Sequence, residues 1–359
     1  MSKEVEYKDL IAFHPGSYVE DIIDDLNITQ NEFADRLETS SKTVSKIING
    51  EESISKNIAN KLAKLTGIDI KTWLNLQANY DAKVMEIENK KNEDERHIST
   101  LIDLKSLKTN GFVENKRYST QERISRLRIL FNVSNLTRLS EFDTAVSYRI
   151  RTVDEKAIVN SNVMLELAMN QARNATTNKY SRNKLEDALP VIHQMITEDP
   201  SVFYEKIRQL LIECGIVLVA LPKFSGAQLH GATKKFKNGS VLLLITDRQK
   251  KADIFWFSLI HELAHIYNED FYSNVENQDE YQYKEELADK FASNFLIPDI
   301  DYEKFISAEN FTEESIVRFA NEIDVIPGIV LGRLQKDQLI QYDELNHLME
   351  WYKITYKNK

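Results

Sequence analysis

Cysteine is almost missing from this chain: Cys214 stands alone among 359 residues. One thiol cannot build an internal disulfide framework, and this usage fits a reducing, cytoplasmic compartment. Long hydrophobic runs are missing as well. No stretch of eighteen apolar residues occurs, so no transmembrane helix and no membrane partner are expected. The N-terminus, Met1-Ser-Lys-Glu-Val-Glu, is charged and reads as no signal peptide. Excess positive charge is lacking too. The formal net charge is −10 and the sequence pI is about 5.4, which argues against bulk attraction to nucleic acid or anionic membranes. A local basic face remains open to inspection. Internal repeats and low-complexity tracts are absent from the sequence. What is present is ordinary for a globular protein: 42% hydrophobic and 28% charged residues exclude a mostly disordered chain. The length points to two or three domains.

Charge changes sign early in the chain. Residues 1–39 carry ten acidic residues against three basic ones, whereas residues 40–64 carry five lysines against Glu51 and Glu52. Near Asn89-Lys-Lys-Asn-Glu-Asp-Glu-Arg96 the sequence is densely charged and reads as a solvated helix end or linker beside a domain boundary. Residues 100–200 show Leu and Ile at helical spacing with few turn signals. Beyond Val202 the texture changes. Ile216-Val-Leu-Val-Ala-Leu221 after Gly215, and Val241-Leu-Leu-Leu-Ile245 after Asn238-Gly239, are the clearest strand candidates. Helical patterns return from Asp253. These readings predict a mainly α protein with a small β-sheet, an α+β fold. It divides into an all-α domain over 1–82, a helical connecting region over 83–198, a core over 199–300 and a helical extension over 301–359.

The first of these domains reads as a helix-turn-helix. Thr29-Gln-Asn-Glu32 is a capping box, with Ile28 and Phe33 placed to form a hydrophobic staple. The helix it opens carries Phe33, Ala34 and Leu37 on one face. The turn Glu38-Thr-Ser-Ser41 leads to a second helix that faces inward with Val44, Ile47 and Ile48. Ser41, Lys42, Thr43, Ser45, Lys46 and Asn49 face outward, and Gly50 ends it. A third helix follows Ser55, buries Ile58, Leu62 and Leu65 and ends at Gly67. Two short helices joined by a tight turn lay the second helix in a DNA major groove. Short polar side chains and lysines on its outer face suit phosphates and base edges. With Gln30 at the start of the first helix, those six outward residues are the candidate DNA contacts.

His14-Pro15-Gly16, the Thr29 to Gly50 pattern and Trp73-Leu-Asn-Leu-Gln-Ala-Asn-Tyr-Asp81 resemble the HigA-type antitoxins, helix-turn-helix repressors of the Xre class. The resemblance covers about residues 12–82. It implies a homodimer that binds palindromic double-stranded operator DNA and a possible cognate toxin as partner. The acidic start of the chain departs from a uniformly basic binder, so affinity is expected to depend on salt and on dimerisation.

The strongest chemical signal is His261-Glu262-Leu263-Ala264-His265, set in an apolar run without breakers that reads as a buried helix. Positions four apart share a helix face, so both imidazoles can reach one metal ion, and Glu262 stands beside it as a general base. Two histidines and a glutamate in an apolar helix are costly unless paired or metal-bound. Catalytic zinc usually keeps three protein ligands. Glu285, in Lys284-Glu285-Glu286-Leu287-Ala288-Asp289, is the preferred third ligand, with Glu286 as rival. Asp289, four residues on, can orient a ligating imidazole. Two histidines and a carboxylate favour Zn2+, with Mn2+ as the other candidate.

Residues from about 200 to 350 resemble the ImmA/IrrE family of metallo-endopeptidases. The carrying stretches are Asp253 to His265, Glu285 to Pro298, Pro327-Gly-Ile-Val-Leu-Gly-Arg-Leu-Gln335 and Gly231-Ala-Thr233. The resemblance implies a gluzincin-like metallopeptidase fold in which one helix bears the histidine pair and a following helix the third ligand. Leu287 departs from the family, where many members have a second Glu. Known members cleave helix-turn-helix repressors, which implies a repressor protein, or the chain itself, as substrate. The oxyanion partner is open among His230, Tyr267, Tyr281 and Tyr283, and Arg333 reads as part of a structural ion pair. Two other readings compete. In one, an antitoxin-like repressor uses the metal fold as a sensor or scaffold without turnover, although a scaffold has no use for Glu262. In the other, a peptidase uses its N-terminal domain to bind protein.

Overall fold

The computed structural model describes residues 4–141, 154–247, 249–271 and 278–354. Parts of the expected connecting region (142–153) and of the C-terminal extension (355–359) therefore lie outside the described residues. The chain forms two compact units, Met1–His97 and Ile98–Lys359.

The first unit opens with an antiparallel hairpin, β1 (Glu4–Tyr7) and β2 (Leu10–Phe13), in which Glu4 pairs with Phe13 and Tyr7 with Leu10. A purely helical reading of residues 1–82 does not place it. The two-residue turn carries no Asn-Gly or Asp-Gly signal, and Lys8 takes the positive φ of 55° in its stead. Four helices follow: α1 (Gly16–Asp25), α2 (Gln30–Arg36), α3 (Ser41–Ile48) and α4 (Lys56–Thr66). Side-chain caps set the starts of α2, α3 and α4. Thr29 Oγ1 accepts from the Glu32 N–H at 3.2 Å, Ser40 Oγ from the Thr43 N–H at 3.1 Å and Ser55 Oγ from the Ile58 N–H at 3.3 Å. The capping box at Thr29 is half formed. The Glu32 carboxylate accepts from Arg36 at 2.6 Å, an i,i+4 charge pair that draws it along the helix. Gly67 ends α4 at φ +74°.

Phe33, Leu37, Val44, Ile47, Leu62 and Trp73 form the centre of this unit and are all buried. Each such side chain contributes roughly 1.5–3 kcal/mol of transfer free energy. Leu65 is only half-buried at the edge. The charged stretch 89–96 is helical throughout, inside α5 (Ile70–Leu101). No breaker interrupts it, and Lys90 and Asp94 pair across one turn at 3.5 Å.

The second unit starts with helices α6 (Leu104–Thr109), α7 (Thr120–Phe131), α8 (Glu155–Ala172), α9 (Arg182–Gln194) and α10 (Pro200–Glu213). A three-stranded sheet follows: β3 (Ile216–Leu221), β4 (Gly231–Lys235) and β5 (Val241–Thr246). The strand order is β3-β5-β4, with β3 parallel and β4 antiparallel to β5. The chain ends with α11 (Ala252–Tyr267), α12 (Gln278–Leu296), α13 (Asp299–Ser307), α14 (Glu313–Glu322) and α15 (Pro327–Lys336).

Strands β3 and β5 read as unbroken apolar runs because both faces of the sheet are covered there. Val241, Leu243 and Ile245 point into a core shared with α10, α11, α14 and α15, including Trp256 and Leu331. Leu242 and Leu244 point the other way, into a core with Val159 and Val163 of α8 and Leu127 of α7. The alternation of β5 between these two cores is the strand period of two. It fixes α11 against one face and sets β4 at the sheet edge beside it.

Candidate metal centre and candidate nucleic-acid interface

Helix α11 is apolar nearly all round, and His261, Glu262 and His265 are buried in it. One turn separates the two histidines, so their rings meet edge-on with centroids 4.8 Å apart and Nε2 atoms 3.1 Å apart. Helix α12 brings Glu285 to the same point. Its carboxylate oxygens lie 3.4 Å from His261 Nε2 and 3.2 Å from His265 Nε2. The three ligand atoms lie within 4.8 Å of one another. Asp289, one turn further along α12, has Oδ1 at 2.9 Å from His261 Nδ1. A carboxylate accepts, so Nδ1 carries the proton and Nε2 presents its lone pair to the cluster.

The donor set fits a divalent cation. Two imidazole nitrogens and a carboxylate converge in a mostly buried place, and the carboxylate behind one imidazole orients it as metal sites require. Glu286 faces away: it is exposed and accepts from Gln282 Nε2 at 3.2 Å.

Glu262 is 2% exposed. Its carboxylate lies against the backbone at the start of β4. A Cβ at Gly231 would stand 2.7 Å from Glu262 Oε1 and 2.7 Å from its Cγ, so only glycine fits there without moving Glu262. Sequence reasoning registered Gly231 only as part of a familiar stretch. A glycine opening a strand, where close backbone approach is a standard reason, is the signal that could have found it.

The oxyanion candidates divide. Tyr267 donates its hydroxyl to Glu186 at 2.8 Å and lies under the Arg182 guanidinium, which ties it to α9. Tyr283 is mostly exposed. His230 and Tyr281 are half-buried, and the His230 carbonyl accepts from the Thr246 N–H at 2.9 Å. Arg333 pairs with Asp337 at 3.2 Å and Asp299 at 3.8 Å, with its guanidinium 4.4 Å from the Tyr302 ring centroid.

In the first unit, α3 packs Val44, Ile47 and Ile48 inward. Lys42 is exposed, and Ser41, Thr43, Ser45, Lys46 and Asn49 are partly exposed. Several of these polar groups also hold one another. Gln30 Nε2 donates to the Ser41 carbonyl at 3.1 Å, fixing the turn between α2 and α3. Ser41 Oγ donates to Asn31 Oδ1, Thr43 Oγ1 bonds Ser40 Oγ at 2.9 Å, and Asn49 Nδ2 donates to Ser45 Oγ at 3.4 Å. Lys46 stands 3.9 Å from Glu52.

The three separated stretches of the N-terminal resemblance meet around this helix. A Cβ at Gly16 would stand 1.9 Å from the Ile47 carbonyl oxygen, so a glycine is required for α1 to approach α3. His14 Nδ1 accepts from the Gly16 N–H at 3.0 Å, and its ring lies edge-on to Tyr80. Gly50, at φ +72°, lies against the His14 ring. Gln77 accepts from the Ile54 N–H at 2.8 Å and donates to Asp81 at 2.8 Å.

Fold and site together define a two-part regulator class: a helix-turn-helix unit, and a peptidase-type unit whose paired histidines and glutamate face one another. Comparison with known proteins agrees in both parts. Residues 19–73 match the family described as Helix-turn-helix, and residues 215–335 match the peptidase family described as IrrE N-terminal-like domain. The chain thus belongs to the helix-turn-helix family and carries an IrrE-like peptidase domain. Over 63 residues it is 33% identical to the uncharacterized HTH-type transcriptional regulator YddM of Escherichia coli K12, covering 18% of this chain and 67% of that protein. Over 69 residues it is 42% identical to virulence-associated protein A' of Dichelobacter nodosus, covering 19% of this chain and 60% of that protein. Among solved structures, an addiction module antidote protein of a HigA family from Coxiella burnetii is 34% identical. That match covers 23% of this chain and 91% of that one, with a TM-score of 0.22.

Proposed function

We propose that this protein is a DNA-binding transcriptional regulator, HigA-like in its N-terminal unit, that carries a working zinc metallo-endopeptidase. Its substrate is a repressor protein or a second segment of this same chain. The observation that carries the reading is the Glu262 carboxylate, buried against Gly231 of β4 on the helix whose two histidines share Glu285. A purely structural or sensory metal site needs ligands and an orienting carboxylate, and gains nothing from a further, buried acid beside them.

His261, His265 and Glu285 would hold the ion, with Asp289 keeping His261 in the ligating tautomer. The chemistry zinc supplies in such a site is Lewis acidity towards a water and a scissile carbonyl. Glu262 takes the proton from that water on a carboxylate oxygen and passes it to the leaving amine. The walls of α11 exclude bulk water from the transfer. The edge of β4 aligns an extended substrate by strand addition, with Gly231 bringing its backbone close to Glu262.

In the N-terminal unit, α3 enters the major groove of a palindromic operator as one half of a homodimer. Lys42 and Lys46 meet phosphates, and Thr43, Ser45 and Asn49 meet base edges. Ser41 and Gln30 fix the turn that aims α3. A cognate toxin is a further partner.

The test is intact mass spectrometry of the purified chain, alone and with candidate helix-turn-helix repressors, with zinc added and beside Glu262→Gln. Zinc-dependent shortening of any chain by the wild type alone supports the peptidase. Equal cleavage by both proteins, or zinc-loaded protein that cleaves none of them, favours the non-catalytic regulator.

A further inference from the structure

Positive charge also collects outside the helix-turn-helix unit. Residues 103–131, which hold α6 and α7, carry seven basic residues against Asp103, Glu114 and Glu122. The chain as a whole stands at −10, so this stretch has the opposite sign to the rest. All three acids are engaged locally. Asp103 caps α6, accepting from the Ser106 N–H at 3.0 Å, and it also accepts from the Ser225 N–H at 2.8 Å. Glu122 accepts from the Ser119 N–H at 2.8 Å and closes the capping box of α7. Glu114 pairs with Lys116 at 2.8 Å.

The remaining cations gather around one ring. Lys105 and Lys108 are three apart and share a face of α6. Lys108 Nζ and Lys116 Nζ each lie 5.4 Å from the Tyr118 ring centroid, which joins α6 to the loop before α7. The Tyr118 hydroxyl donates to the Glu114 carbonyl at 3.0 Å. Lys116 and, more weakly, Arg126 of α7 hold the Glu114 carboxyl below its usual range, so Arg126 belongs to the same group. Lys105, Arg117 and Arg126 are exposed and Lys108 is half-buried. Among the described residues, no carboxylate forms an ion pair with any of these four.

We propose that α6, α7 and the loop between them bind the phosphate backbone of double-stranded DNA without regard to sequence, as a second contact outside the helix-turn-helix unit. Lys105, Lys108, Arg117 and Arg126 meet the phosphates. Duplex DNA carries one charge per about 1.7 Å of its axis, so one backbone neutralises several cations of one surface and releases their counterions. The same chain carries a helix-turn-helix, and the proposal rests on that DNA-binding reading for what brings the duplex to the protein.

Fluorescence anisotropy of the full chain tests the proposal, on a labelled duplex of about 30 base pairs and arbitrary sequence, at about 50 to 200 mM salt. The proteins are the wild type, the quadruple variant Lys105→Gln/Lys108→Gln/Arg117→Gln/Arg126→Gln, Glu114→Gln and Lys42→Glu/Lys46→Glu. The quadruple variant is expected to bind about tenfold more weakly or worse at the lowest salt, with a salt slope reduced by about 2–4. Glu114→Gln frees Lys116 and is expected to bind more tightly than the wild type. Failure of the helix-turn-helix reading shows separately, as Lys42→Glu/Lys46→Glu binding like the wild type. The slope difference between that variant and a chain with all six substitutions reports α6 and α7 alone. If the quadruple variant melts below the wild type, the exposed pair Lys105→Gln/Arg117→Gln is expected to give about half the slope change. No wild-type binding overturns the proposal, as does an unchanged slope in the quadruple variant or, where that variant is destabilised, in the pair. A quadruple variant that keeps the duplex but loses poly-L-glutamate also overturns it, since the partner is then an acidic protein segment.

Discussion

His261 Nδ1 and Asp289 Oδ1 lie 2.9 Å apart, across two helices and 28 residues of sequence. This contact settles which imidazole nitrogen faces the cluster. Asp289→Asn removes the negative acceptor and is expected to weaken zinc binding by about 10–100-fold while leaving the fold intact. Equilibrium dialysis with metal analysis measures it; unchanged affinity would mean that His261 is oriented by packing alone.

Gly231→Ala is a sharper probe of Glu262. The new methyl group would stand 2.7 Å from Glu262 Oε1, so the carboxylate must move. If Glu262 handles the proton, a displacement of this size is expected to lower cleavage about 10²-fold with zinc content unchanged. Cleavage at the wild-type rate would remove Glu262 from the reaction.

Lys42→Glu combined with Lys46→Glu reverses two charges on the outer face of α3 without touching Val44, Ile47 or Ile48. Operator binding by mobility shift is expected to be lost. Lys42→Ala alone is expected to reduce the salt slope by about 0.9. Binding that survives the double reversal would send the DNA contact to another helix.

His14 provides a pH prediction. Burial pushes its pKa below the usual histidine value, against the opposing pull of Asp81 and the Ile47 backbone. The neutral ring is the form that accepts from the Gly16 N–H. A histidine with a depressed folded pKa contributes stability that is present above pH 6.5 and lost as pH falls through the folded value. The melting temperature of the full chain should therefore drop on acidification through this window, and drop less in His14→Asn. Identical pH profiles would show that His14 does not titrate within the fold.

Asp253 has the opposite sign. Burial raises its carboxyl pKa above 3.8, so its contribution to stability is complete below that pH and is lost as pH rises through the folded value. Asp253→Asn is expected to melt a few degrees higher at pH 7 and to lose that advantage as the pH approaches the carboxylate range. A lower melting point at pH 7 would show that Asp253 is paid for by capping its own helix.

Much of both sites was legible in the chain, for local reasons. His261 and His265 are four apart in a run without breakers, so a helix must bring them together. Thr29, Ser40 and Ser55 are helix caps, and the apolar spacing between Phe33 and Leu62 follows from which face each helix buries. The strands at Ile216 and Val241 were visible because a sheet covered on both faces needs unbroken apolar runs. Pattern reasoning has no comparable handle on the hairpin at residues 4–13, whose turn uses Lys8 where Gly or Asn would have announced it. The second arm of the capping box at Thr29 also escaped it, because Arg36 competes for Glu32.

Sequence alone determined the residue types, the helical spacing of the histidines and the amphipathic faces, all of which depend on neighbours a few positions away. The tertiary structure decided what depends on long-range approach. It put Glu285 rather than Glu286 beside the imidazoles, because the rotation of α12 against α11 sets which side chain faces inward. It pressed Gly231 against the Glu262 side chain and Gly16 against the Ile47 backbone, where the absence of a side chain matters only once distant elements meet. It also brought Asp253 and Arg333, eighty positions apart, to the wall of one cavity, which no local pattern encodes.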